Sequence, residues 1–210
     1  DPCRRPQMID SYLTLEDSTL HKITRKKSRF IALLSPTNSQ EDAQRQLEGI
    51  RRAYHDATHH CHAFRLLLDG TIVEVSNDDG EPSGSAGLPI MQQLTSRNLC
   101  NVMATVVRYF GGTRLGLGGL VRAYSDAVSE ALERASIVTR ALMTRITIRF
   151  PVEVNSNVMS IIHRFSAHIE GLVYEAPVRI EVTLPPSQVE TFRATLTEAT
   201  GDRTELEVEL

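Results

Sequence analysis

No stretch of this 210-residue chain comes near the roughly 18 consecutive apolar residues that a membrane-crossing helix requires, so no membrane association is expected. Its three cysteines, Cys3, Cys61 and Cys100, are odd in number and show no C-x-x-C spacing. That pattern excludes a disulfide framework and points to reduced thiols in the cytoplasm. A basic segment followed by an apolar run is missing from the start, so nothing reads as an export signal. Position 1 is not methionine. "DPCRRPQ", residues 1–7 ahead of Met8, reads as a cloning remnant or an upstream extension and is set aside. Internal repeats and low-complexity tracts are also lacking.

What remains is ordinary for a soluble protein, with 41% hydrophobic and 23% charged residues. The length suits one large or two modest domains. Charge is uneven: residues 1–140 hold 17 Lys+Arg against 16 Asp+Glu, and residues 141–210 hold 6 against 10. The acidic second part argues against strong nucleic-acid binding there.

Periodicity divides the chain. "IDSYLTLEDS" alternates weakly like a strand, and "KSRFIALLSP" is a strand stopped by Pro36. Ala43, Leu47, Ile50 and Tyr54 mark a helix with Ser39 and Asp42 as its cap. "HAFRLLL" and "TIVEVS" read as a hairpin through Asp69-Gly70, because Asp-Gly supplies the positive φ angles of a tight turn. "LPIMQQLTSR" is a short helix with Pro89 in its first turn, and "CNVMATVVRYF" is a buried strand. Val121, Tyr124, Val128 and Leu132 form one helical stripe. "SIVTRALMTRITIRF" contains the domain joint. Beyond it, "TRITIRF" is a strand, and Val158, Ile161, Ile162 and Phe165 mark a helix. "VYEAPVRIEVTL" supplies strands on both sides of Pro177. A second helix follows, capped by a Ser187/Glu190 box, and "TELEVEL" is the last strand. The order is β-α-β-β-α-β, that of a ferredoxin-like unit. The boundaries are therefore 8–140 and 141–210.

Two loops carry the chemistry. In "RYFGGTRLGLGG" five of the last nine residues are glycine: Gly111, Gly112, Gly116, Gly118 and Gly119. A dinucleotide fingerprint fails, because three residues after Gly118 stands Val121. A Walker loop fails too, because Leu117 occupies the lysine position. What is left is a strand entering and a helix leaving a glycine run, whose free amides favour an anion, with Arg108, Arg114 and Arg122 nearby. Close packing of helix on sheet explains the glycines equally well. The second loop, "SNDDGEPSGSAG", gathers Asp78, Asp79, Glu81, Ser83 and Ser85. These residues suit a divalent cation, pairing with the arginines, or a plain solvated turn. The calcium-loop spacing is absent.

"HDATHHCHAF" brings His55, His59, His60 and His62 close to Cys61, but on a strand only His60 and His62 share a face. They read as strand-edge histidines rather than metal ligands, and no metal is expected. Neither Cys61 nor Cys100 has a base or a pKa-lowering neighbour legible in sequence, so no catalytic residue is assigned.

Taken together, "HHCHAF", "NDDGEPSGSAGLPI" and "VVRYFGGTRLGLGGLVRAYSDAV" resemble the IMPACT/YigZ family of translation-linked proteins, in order and from about Met8 to the C-terminus. Leu88 stands where most bacterial members carry lysine. The resemblance implies an N-terminal α/β domain similar to the second domain of a small-subunit ribosomal protein and of GHMP-type kinases. It also implies a C-terminal domain like a late domain of elongation factor G. Gly116-Leu117-Gly118-Gly119-Leu120 keeps the glycines of the kinase phosphate loop without its serines, so no nucleotide cofactor is implied. Eukaryotic relatives are implied to bind the activator of an initiation-factor kinase.

The expectation is an α+β protein that is a non-enzymatic regulator or binding protein. Its partner would be the ribosome, RNA or a translation-associated protein, or a phosphate-bearing ligand, held between the two loops. An enzyme acting on a small phosphorylated or carboxylated substrate is the alternative. Base stacking by the C-terminal sheet is a third reading, weakened by its few aromatics, Phe150, Phe165, Tyr174 and Phe192.

Overall fold

The structure, a computed structural model, describes residues 10–68 and 70–209. The fold is α+β, and the described residues divide into two compact units, one within Leu13–Arg140 and the other of residues 141–209 together with 10–12. The 1–7 segment with Cys3, Ile9 of the expected first strand, and Asp69 of the expected turn lie outside the described residues. Gly70 has φ +73°, in the region the turn requires.

The chain begins with β1 (Ser11–Leu15), β2 (Thr19–Arg25), β3 (Ser28–Pro36) and α1 (Gln40–Ala53). It continues through β4 (His59–Leu68), β5 (Thr71–Asn77), α2 (Gly87–Ser96), β6 (Val102–Tyr109), α3 (Leu117–Leu132) and β7 (Ile137–Ala141). Strands β2-β3-β6-β4-β5 form one antiparallel sheet in that spatial order, and β1 pairs with β7 separately. Burial explains why "CNVMATVVRYF" reads as a continuous apolar run. Val102, Ala104 and Val106 of β6 pack with Ile90, Leu94, Tyr124 and Val128 of α2 and α3. Met103 joins Ala43 and Leu47 of α1 in a second cluster. A central strand covered on both faces loses the period-two pattern. α1 starts as its sequence requires: Ser39 accepts the Asp42 amide at 3.1 Å.

The expected strand-edge placement holds for part of the histidine cluster. β5 pairs with β4 only from His62 onward, so His59 and His60 lie on a stretch hydrogen-bonded to β6 alone, and the His60 amide meets the Asp79 carboxylate instead. His60 and His62 are each 8% exposed, on the face opposite the α2/α3 layer. The His60 Nε2 donates to the Tyr54 carbonyl at 3.0 Å.

The other unit runs β8 (Thr144–Phe150), α4 (Asn155–Arg164), β9 (His168–Val173), β10 (Val178–Leu184), α5 (Val189–Thr200) and β11 (Glu205–Glu209). Its antiparallel sheet has the order β11-β8-β10-β9. Ile146, Ile148, Ile180 and Val182 face Val158, Ile162, Phe192 and Leu196 of the two helices. The expected Ser187/Glu190 capping box does not form. Ser187 instead gives both its amide (2.9 Å) and its hydroxyl (2.6 Å) to the Asp10 carboxylate, and α5 begins at Val189 without a side-chain cap. Asp10 thus takes the amide that the Glu190 carboxylate would accept in a capping box.

Candidate functional site: a buried ion pair beside an uncapped helix

Strand alternation decides what reaches the site. Along β6, Val102, Ala104 and Val106 face the α2/α3 layer, so the next residue on that face is Arg108. On β4 the same face takes Ala63, Cys61 and then His59; on β3 it takes Leu34, Ala32 and Phe30. The register sets Arg108 opposite Phe30 on one side and His59 on the other. From α3, Tyr124 stands edge-on to Phe30, ring centroids 5.2 Å apart.

The remaining component arrives on the loop between β5 and α2. Its first carboxylate, Asp78, accepts the amides of Ala86 (2.9 Å), Gly87 (2.8 Å) and Gly84 (2.8 Å), closing the loop and satisfying the start of α2. Burial alone would raise this carboxyl's pKa, but the amides of Gly84, Gly87 and Ala86 together outweigh it and hold it below the usual carboxylate value. Asp79 (φ +45°) accepts the His60 amide and the Arg51 guanidinium, each at 2.7 Å. Ser85 is buried and donates to the Pro82 carbonyl at 2.6 Å, while Ser83 is exposed. The result is a rigid loop that presents Glu81 inward.

Glu81 meets Arg108 in a direct ion pair, with residue exposures of 9% and 5%. Two charges so far from water cost several kcal/mol each unless their partners are well placed. The same Glu81 oxygen accepts the Tyr124 hydroxyl at 2.7 Å. The Arg108 guanidinium lies 5.4 Å from the Phe30 ring centre and 5.5 Å from that of Phe110. Its buried Nε has no hydrogen-bond partner among the described residues.

Because the Tyr124 proton is committed to Glu81, the Cys61 thiol can only donate here, its one hydrogen shared between the Asp78 carbonyl at 3.0 Å and the tyrosine oxygen at 3.2 Å. Burial, with nearby carboxylates adding to it, pushes the Cys61 thiol up to about 12. Burial likewise drives the Tyr124 phenol well above its ordinary value, with Cys61 and Glu81 contributing. Neither group is an activated nucleophile. His59 Nδ1 donates to the Asp79 carbonyl at 2.7 Å, which fixes the ring and leaves Nε2 4.0 Å from Glu81 Oε1.

The glycine run divides its work. A Cβ on Gly111 would lie 2.1 Å from the Lys27 carbonyl carbon, so backbone contact with the β2–β3 turn dictates glycine there. Gly116 has φ +75° and heads α3 without a capping side chain, and no acidic residue stands in the first turn. The first intrahelical bond runs from the Leu120 amide to the Gly116 carbonyl at 3.0 Å. The amides of Leu117, Gly118 and Gly119 therefore lack an intrahelical acceptor. Directly at this helix start lies a pocket of about 400 Å³, lined by His59, Glu81, Arg108, Phe110, Arg114 and Leu117 among others.

Of the candidates read from sequence, the pocket brings together Glu81, Arg108, Arg114 and Gly116. Asp78, Asp79, Ser83 and Ser85 shape the loop behind it, and Gly111 and Gly112 shape the approach. Gly118 and Gly119 sit in the first turn of α3, and Arg122 is exposed further along that helix. Arg114 is exposed and, among the described residues, makes no ion pair. Sequence reasoning missed His59, Phe110 and Tyr124 as site residues. No group of three or more His, Cys, Asp or Glu side chains suited to a metal occurs among the described residues.

Fold and site together belong to a recognisable class. The Impact N-terminal domain matches residues 26–132, the unit that carries the pocket, and a Domain of unknown function (DUF1949) matches residues 158–203. The chain belongs to the IMPACT family. It is 33% identical over 199 residues to the IMPACT family member YvyE of Bacillus subtilis, covering 95% of this chain and 91% of that one. To the IMPACT family member YigZ of Escherichia coli it is 35% identical over 172 residues, 81% and 84% of the two chains. A crystal structure titled as that of a hypothetical protein superposes with a TM-score of 0.69 at 32% identity, covering 95% of this chain and 97% of the other.

Proposed function

We propose that this chain is a non-enzymatic regulatory or binding protein of the translation apparatus, working in the cytoplasm. It holds a phosphate-bearing or acidic group of its partner at the start of α3. The link to translation rests on the family resemblance. The anion seat rests on one observation above all: an uncapped helix start, with no acidic side chain in its first turn, opens on the same pocket as Arg114 and Arg108. Glu81 neutralises Arg108, so the net positive charge comes from Arg114 and the three amides.

The reading is tested by co-sedimentation and pull-down with ribosomes, RNA and translation factors at increasing salt. Binding should weaken with salt and in Arg114→Glu. If wild type and variant behave alike, or nothing binds at low salt, the reading falls.

His59 favours one alternative, an enzyme acting on a small phosphorylated or carboxylated substrate. Its ring is oriented by a backbone carbonyl, and its other nitrogen is left for the pocket, an arrangement suited to proton transfer. Turnover of a phosphoester panel by wild type and not by His59→Asn would favour it; no turnover by wild type removes it.

A further inference from the structure

We propose that the pocket at the start of α3 takes a small phosphomonoester carried on a flat ring. This rests on the anion seat proposed above and gives that seat a small molecule in place of a group of a macromolecular partner. A bare phosphate would satisfy the amides and Arg114 and leave the rest of the site unexplained. The pocket measures about 400 Å³, within the range of small-molecule sites. Its walls are largely carbon: Phe110, Leu115, Leu117 and Leu120.

Two of those side chains are conspicuously in water, Phe110 at 48% and Leu117 at 60% exposed. Both flank the seat where the charged group would sit, and a ring placed between seat and wall would cover them. Arg108 adds an independent indication. Its guanidinium is already stacked near Phe110, 5.5 Å from the ring centre, and its Nε is buried without a partner while the side chain borders the pocket. Of its guanidinium nitrogens only Nη1 has a hydrogen-bond partner among the described residues, so a ligand oxygen would meet a donor that Glu81 leaves free. The floor is thus polar at one point and the walls are apolar. That is the chemistry of an aryl or nucleoside monophosphate.

Calorimetric titration of the full chain with inorganic phosphate, phenyl phosphate and phenol tests this. Phenyl phosphate should bind about tenfold tighter than phosphate, the increment expected of one stacked ring, and phenol should not bind measurably. Phe110→Ala should bring the two phosphates within about twofold of each other. Leu117→Ser, at a more exposed position, should narrow the ratio in the same direction and guards against a folding defect in the first variant. Equal affinities in wild type, or a ratio untouched by both variants, overturns the ring while leaving the anion seat standing. No binding of either phosphate sinks the seat and this proposal together. A 5′-phosphorylated tetranucleotide that binds more tightly than the mononucleotide overturns the small-molecule assignment, since the pocket should gain nothing from a longer strand.

Discussion

Tyr124 donates its hydroxyl proton to Glu81 at 2.7 Å, on the oxygen that also meets the Arg108 guanidinium. A residue of the α3 core stripe is thereby tied to a loop carboxylate, and the loop is held over the end of the sheet. Truncating either charge should be costly because it strands the other. Glu81→Ala and Arg108→Ala should each lower unfolding free energy by about 3–5 kcal/mol, and the double variant by clearly less than the sum. Tyr124→Phe should cost about 1–3 kcal/mol. Urea denaturation of the four variants checks this; simple additivity would mean the pair is not coupled.

The glycines separate by the same kind of measurement. Gly111→Ala places a methyl 2.1 Å from the Lys27 backbone, whereas Gly118→Ala meets nothing within 4 Å. The first should be severely destabilising, about 3 kcal/mol or more. The second should be neutral or stabilising by up to about 1 kcal/mol, as alanine in a helix usually is. Similar effects at both positions would refute the division of labour drawn for this run.

Asp78 gives a pH signature. Burial opposes the charged form, but three amides outweigh it and hold the carboxyl below its ordinary value in the folded protein. A depressed carboxylate contributes stability that is complete above the unfolded value and disappears as pH falls through the folded one. Wild type should therefore lose stability below about pH 4 more steeply than Asp78→Asn, and the two curves should converge in acid. The variant should be less stable at neutral pH. Parallel curves would show that the amides do not bind the charged form.

The Cys61 thiol, raised to about 12 chiefly by burial, should resist alkylation at pH 8 in the native protein and react once denaturant is added. Quantifying modification at this cysteine by mass spectrometry decides it. Rapid native labelling would mean that the sulfur is open to solvent.

Much of this fold is written in local pattern, and the exceptions have physical causes. α1 with its Ser39 cap and the α3 stripe are legible because each depends on neighbours a few residues away. β2 is not legible in sequence, since its burial alternates but three of its four inward positions are the polar Thr19, His21 and Arg25, leaving Ile23 as the one buried residue. β7 has no buried residue to betray it. Ser187 misleads because its true partner, Asp10, is 177 residues distant. In the site, Glu81, Arg108 and Arg114 are legible by charge next to glycine. His59 and Tyr124 are not, because an imidazole on a strand and a tyrosine on a core stripe acquire their roles only from the Asp79 carbonyl and the Glu81 carboxylate.

The central claim concerns the free amides at the start of α3, and amide-resolved NMR of the labelled protein during titration with inorganic phosphate addresses it directly. Leu117, Gly118 and Gly119 should shift together and saturate, and Arg114→Glu should abolish the change while leaving the remaining spectrum intact. Unmoved resonances at those three positions, or equal shifts in the variant, would contradict the account.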